Sequence, residues 1–171
     1  MSSGLALEKM NGHELSPPDR NRPVHLGAVE KHNRSLVFFV TVCTSERRPL
    51  LANDAAHGIL LAAWRDARSF VVGRYVIMPD HVHLFCAPAV SPPESLAKWV
   101  AYWKSISARN STSPHGHKLW QRDFWDRQLR SGDSYSEKWD YVRNNPVRAG
   151  LVKNPDEWKW QGELEGLRWH S

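Results

Sequence analysis

The chain has 171 residues, 41% hydrophobic and 24% charged, with a formal charge of +5 and only two cysteines. That is about one domain, with enough apolar residue to bury a core unaided. It excludes a disulfide-stapled scaffold, a CxxC zinc knuckle and, for want of an 18-residue apolar run, a membrane-spanning helix. Basic charge with nine tryptophans suits a phosphate backbone and stacked bases. It equally suits a basic protein whose tryptophans fill its core.

Residues 1–30 carry Ser, Pro, Asp, Asn and Arg without periodicity and read as a loose arm, leaving 31–171 as a single domain. No apolar stretch at the N-terminus is long enough for a signal peptide, so a cytoplasmic protein is expected. "SLVFFVTVCT" (35–44) is a β-branched and aromatic run, hence a buried strand. Cys43 within it and Cys86 further on read as small buried hydrophobes. Residues 50–68 have helical spacing, with Leu60, Trp64 and Ala67 on one stripe and Asn53 or Asp54 as N-cap. "FVVGRYVIM" and "HVHLFCAPAV" are two β runs joined by Pro79-Asp80, the signature of an antiparallel hairpin or a sharply bent pair.

Residues 91–110 open with Ser91 and two prolines, then place Leu96, Val100 and Trp103 on one helical stripe. A loop follows over 111–118, then a short aromatic strand within "LWQRDFWDRQLR" (119–130). Residues 134–145 read as a helix that stops at or before Asn145, because Pro146 disfavours helix in the residue before it. The remaining tail is turn-rich and aromatic. The order β-α-β-β-α-β predicts an α+β, ferredoxin-like antiparallel sheet with helices on one face, plus an extra C-terminal helix.

The chemistry starts from "PDHVHLF". Nine histidines in 171 residues give about 0.4 His-x-His pairs by chance, so the pattern alone is weak. A second pair, His115 and His117, lies among Ser, Pro and Gly and reads as solvated loop. His81 and His83 differ, because strand alternation puts both on one face while Val82, Leu84 and Cys86 anchor the other. Two imidazoles on a rigid strand are either surface histidines or two ligands of a metal whose third ligand comes from elsewhere.

"EKWDYVRNNPVRAGLV" (137–152) offers that third ligand. Tyr141 and Asn145 are four apart, so they share a helix face, and Asn145 at the helix end has an amide oxygen free to turn toward a ligand. Two imidazoles and an amide would leave a divalent ion its full charge to polarise a phosphate oxygen, with Tyr141 placed to attack phosphorus. The bland alternatives are a packing tyrosine and a helix-ending asparagine. Asp80, next to His81, could orient its imidazole or only make the turn.

"VIMPDHVHLF", "LWQRDFWDRQLR" and "YVRNNPVRAGLV" in this order resemble the REP-associated tyrosine transposases, members of the single-tyrosine His-hydrophobic-His (HUH) nuclease superfamily. The resemblance spans about Leu36 to Trp160. It implies a bacterial, ferredoxin-like, metal-dependent endonuclease and strand transferase. Its substrate would be single-stranded DNA beside a palindromic REP-like hairpin, cut through a 5′-phosphotyrosine. It makes His81, His83 and Asn145 the ligands of Mg2+ or Mn2+ and Tyr141 the nucleophile. Tyr102 and Tyr135 are the rival tyrosines, and a monomer is expected over a homodimer. Lys104, Arg109, Arg122, Arg127, Arg130 and Arg143, with Trp120 and Trp125 for stacking, are the candidate DNA contacts. The alternative is a domesticated, non-catalytic hairpin-binding protein; a zinc hydrolase lacks an acidic or third histidine ligand beside the pair.

Overall fold

A computed structural model describes residues 36–113, 118–129 and 135–167. The expected N-terminal arm, His115, His117 and Arg130 lie outside the described residues. Five strands form one antiparallel sheet: β1 (Phe38–Cys43), β2 (Phe70–Ile77), β3 (His81–Pro88), β4 (Trp125–Gln128) and β5 (Gln161–Glu163). Their spatial order is β4-β1-β3-β2-β5. Helix α1 (Asp54–Asp66) connects β1 to β2 and α2 (Leu96–Asn110) connects β3 to β4. The first four strands therefore have the ferredoxin-like connection, and β5 extends the sheet beyond β2. Helices α3 (Tyr135–Arg143) and α4 (Asn145–Arg148) follow β4.

Local chemistry sets the boundaries. Asn53 caps α1, its side-chain oxygen accepting from the Ala56 N–H at 2.9 Å. Helix α2 begins at Leu96, not at Ser91, with Ser95 as its cap. The paired prolines hold the residues before them extended and so keep 91–93 out of the helix. The expected strand in 119–130 shrinks to four residues. Before it, Lys104 donates to the carbonyls of Gln121 (2.6 Å) and Arg122 (3.0 Å), which fixes that backbone in an irregular path. Strand β5, "QGE", has no apolar alternation and was not foreseen. It forms because β2 presents an open edge, to which Gln161, Gly162 and Glu163 pair.

The sheet has a core on each face. Val40, Val42, Val82, Leu84 and Cys86 pack with Leu60, Trp64, Trp99 and Trp103 of α1 and α2. On the opposite face Val37, Val76, Met78 and Phe85 pack with Leu129, Val142 of α3 and Trp158. Phe85 is wholly buried, its ring edge-on to Tyr135 at 4.8 Å and to Trp139 at 6.4 Å. That contact seats α3 on the face that carries the histidines. The tail is tied down by the Trp158 indole, which donates to the Ile77 carbonyl at 3.0 Å, and by the Ile77 N–H donating to the Trp160 carbonyl at 2.8 Å. Among the described residues no helix is long and apolar enough to cross a membrane.

Candidate metal and nucleic-acid site

Register explains which side chains meet. Thr41 pairs with both His83 and Trp125, and Val76 pairs with both His83 and Gln161. Directly paired residues of an antiparallel sheet point to one face. Trp125, Thr41, His83, Val76 and Gln161 therefore form a row across all five strands. Neighbouring strands are about 4.8 Å apart, so Trp125 and Gln161 each lie about 10 Å from His83.

The imidazoles converge. Nε2 of His81 and Nε2 of His83 are 3.1 Å apart, their rings nearly perpendicular at 82°. Two ligands about 2.1 Å from a common centre and at right angles to one another stand about 3.0 Å apart. The pair thus has the spacing of adjacent ligands of one divalent cation. The Nδ1 atoms are held from behind. That of His81 meets Oδ1 of Asp80 at 2.6 Å, and that of His83 meets the Thr41 hydroxyl at 2.8 Å. Asp80 is fixed in turn by Arg47 Nε at 2.8 Å. The Thr41 hydroxyl can donate to or accept from Nδ1, so His83 can present a lone pair at Nε2. Phe39 stacks on His83 with centroids 5.5 Å apart.

Burial, followed by the positive charges of His81, Arg47, Lys138 and Arg148, pushes the His83 pKa down to about 3. Burial also lowers that of His81, against the Asp80 carboxylate, which raises it. Both rings are therefore neutral near pH 7, the form that ligates a metal. Arg47 reaches this position through a turn in which Glu46 and Arg47 are both left-handed, φ 57° and 56°. Such a conformation costs a non-glycine residue about 1–2 kcal/mol.

The four tyrosines separate cleanly. Tyr75 is buried against Trp64 and bonded to His57 (2.9 Å), and Tyr102 bonds Asp66 (2.9 Å) on the outer side of α2. Tyr135 packs on Phe85 beneath the Arg74 guanidinium. Two tyrosines are exposed, Tyr102 at 49% and Tyr141 at 61%; Tyr102 faces Asp66 on α2, whereas Tyr141 lies on α3, the helix packed on the histidine face. Lys138 lies 5.1 Å from the centroid of Phe39 and 5.9 Å from that of Tyr141, so one ammonium bridges the ring stacked on His83 and the exposed phenol.

Asn145 differs from expectation in two respects. Helix α3 ends at Arg143, and Asn145 opens α4, with Pro146 tolerated in the first turn. Tyr141 and Asn145 therefore do not sit on one continuous helix. Nor is the Asn145 oxygen free: it accepts from the Arg148 guanidinium. Arg148 also donates to the Tyr141 carbonyl at 2.9 Å and lies 4.0 Å from the centre of the Tyr141 ring. Arg148 is what joins the two residues. Sequence reasoning missed Arg148, although it lies three residues from Asn145 and seven from Tyr141, both helical spacings. It also missed Thr41, Arg47, Phe39 and Lys138, which only register and packing bring to the histidines.

The candidate DNA contacts divide. Trp125, 56% exposed, and Arg127 lie on the histidine face of β4, and Arg122 is exposed just before it. Arg143 pairs with Asp156 and, with Arg74, Trp139, Gln161 and Glu163, lines an open cleft of about 310 Å³ beside β5. Trp120 is removed from the stacking set: it packs edge-on against Trp103 at 5.5 Å and donates to Ser107 at 2.9 Å. Lys104 is spent on two carbonyls, and Arg109 is exposed on α2, across the sheet from the histidines. Among the described residues no three His, Cys, Asp or Glu side chains are grouped to hold a metal.

Comparison with known proteins supplies the family. The profile of the family described as "Transposase IS200 like" matches residues 33–144. The REP-associated tyrosine transposase of Escherichia coli (strain K12) is 27% identical over 124 residues, covering 71% of this chain and 72% of that protein. A solved REP-associated tyrosine transposase bound to a REP hairpin superposes with a TM-score of 0.61 at 21% identity, over 80% of this chain and 82% of that one.

Proposed function

As the chain belongs to the IS200-like transposase family, we propose that it is a metal-dependent endonuclease and strand transferase that cuts single-stranded DNA beside a palindromic, REP-like hairpin through Tyr141. The observation that carries this reading is the convergence of two neutral imidazoles, Nε2 atoms 3.1 Å apart, on the sheet face that also bears the exposed Tyr141. The hairpin comes from the relatives, one of which is a REP-hairpin complex. Such a protein works on bacterial DNA in the cytoplasm. Tyr141 is tied through Lys138 to its own chain's Phe39 and His83, which supports action as a monomer.

His81, His83 and Asn145 would hold Mg2+ or Mn2+, a mixed nitrogen and oxygen set that suits Mn2+ well. When bound, the ion supplies Lewis acidity to a non-bridging oxygen of the scissile phosphate. The remaining work belongs to the chain. Asp80 and Thr41 fix the two imidazoles. Arg47, Lys138 and Arg148 place positive charge around the phosphate position, so charge neutralisation and alignment supply much of the acceleration. The Tyr141 oxygen attacks phosphorus in line and gives up its proton to solvent. A P–O bond forms to tyrosine as the bond to the 3′ oxygen breaks, and that oxygen leaves as a 3′-OH. Because a phosphoester replaces a phosphoester, another 3′-OH can reverse the step and join strands. Trp125, Arg127 and Arg122 are the surface groups best placed to hold the flanking strand, by stacking and phosphate contact.

The test is covalent capture. A labelled hairpin-bearing strand incubated with protein and Mn2+ should give an adduct that survives denaturing electrophoresis. Tyr141→Phe should abolish the adduct and leave binding; Tyr135→Phe should leave both. Salt-dependent binding with no adduct from the wild-type protein would favour the non-catalytic binder.

A further inference from the structure

We propose, resting on the metal site above, that Arg148 is a DNA-responsive latch: it holds the Asn145 oxygen until the scissile phosphate draws its guanidinium away. DNA binding and metal binding are thereby coupled through one side chain.

Three contacts of one guanidinium carry the inference. Arg148 donates to the side-chain oxygen of Asn145, donates to the Tyr141 carbonyl at 2.9 Å, and lies 4.0 Å from the centre of the Tyr141 ring. A guanidinium is a planar fork whose N–H groups point in fixed directions. The edge that faces Asn145 cannot also serve a phosphate. Asn145 is a neutral acceptor, whereas a phosphate oxygen is anionic, and charge-assisted hydrogen bonds are roughly twice as strong as neutral ones. A phosphate arriving beside Tyr141 therefore outcompetes Asn145 for that edge. The bond to the Tyr141 carbonyl is made by the other nitrogen and persists, so the guanidinium swings without leaving the nucleophile. The released amide oxygen is the hard donor that a divalent cation takes.

Charge points the same way. Arg47, Lys138 and Arg148 all bear electrostatically on His83, and Asp80 is the carboxylate set against His81. Without DNA a divalent cation would enter a site dominated by positive charge and lacking its oxygen ligand. An incoming phosphate removes both obstacles together. By linkage, the factor by which DNA raises metal affinity is also the factor by which metal raises DNA affinity.

The experiment is Mn2+ titration of the full chain followed by the electron paramagnetic resonance signal of free Mn2+. It uses Tyr141→Phe throughout to prevent cleavage, with and without the hairpin-bearing strand and with the strand's own Mn2+ binding subtracted. The strand should raise Mn2+ affinity about 10-fold, within the usual range of coupling between sites. Adding Arg148→Gln should raise affinity several-fold in the absence of DNA and shrink the effect of the strand. Adding Asn145→Ala to that protein should cancel the DNA-free gain. The latch is overturned if Arg148→Gln binds Mn2+ no more tightly than its parent while circular dichroism shows an intact fold. It is also overturned if the gain persists without Asn145, because charge removal alone would then explain it. His81→Ala separates the two readings: if it leaves Mn2+ binding unchanged, the metal site itself is wrong and the latch falls with it.

Discussion

Acid should destabilise the metal-free protein through His83 in particular. Its pKa is held down at about 3, whereas an imidazole in an unfolded chain titrates at about 6.5. Between those values the unfolded chain binds a proton that the folded one refuses. Stability therefore rises with pH across this window, and falls as pH drops from about 6.5 toward 3. Two-state linkage puts the His83 share of the loss between pH 7.5 and pH 5 at about 2 kcal/mol. For a domain of this size that is about 4–8 °C in Tm. The assay is urea unfolding in EDTA at both pH values, for the wild type and for His83→Gln. Glutamine keeps a polar partner for Thr41 but cannot titrate. His81 and His57, both lowered by burial, contribute in the same direction to both proteins, so the quantity read is the difference between them. The wild type should lose about 2 kcal/mol more than the variant. Equal losses would refute the premise that His83 is buried and neutral among the cations of Arg47, Lys138 and Arg148.

Phe85→Ala should cost about 3–5 kcal/mol, because the ring is wholly buried and seats Tyr135 and Trp139 of α3; hydrogen exchange should show α3 deprotected first. Trp125→Ala, at an exposed edge position, should change stability by less than about 0.5 kcal/mol. The same change should weaken single-strand binding by about 1–3 kcal/mol, read by fluorescence anisotropy; unchanged affinity would remove the ring from the DNA path. Asn53→Ala should cost about 1 kcal/mol in urea unfolding through loss of the Ala56 cap, with DNA binding unaffected.

Much of the fold was legible because its signals are local. Alternation in "HVHLFC" placed two imidazoles opposite Val82, Leu84 and Cys86, and the apolar stripes of 50–68 and 91–110 marked the helices that cover that apolar face. The cap of α1 was legible as Asn53 or Asp54, and Asn53 is the one that makes it. Pro146 announced the end of α3. The tryptophan load, by contrast, is mostly core. Trp64, Trp99, Trp103 and Trp158 are buried, and Trp120, Trp139 and Trp160 are half-buried against the core, so that among the described tryptophans Trp125 is the exposed one, and composition cannot tell the two environments apart. Strand β5 was illegible because an edge strand of three polar or glycine residues carries no period. Its pairing is an answer to the open edge of β2.

The sequence by itself determined the order of elements, the face on which His81 and His83 stand, and the family that the three motifs resemble. Those follow from side-chain periodicity and from residues adjacent in the chain. Only the tertiary structure decided what stands around the imidazoles. Thr41, forty-two residues before His83, reaches it through strand register. Lys138 reaches Phe39 because α3 packs across the sheet. Arg148 takes the oxygen that Asn145 was expected to leave free. Register and packing bring together residues distant in the chain, and no period of two or 3.6 records which of them will meet.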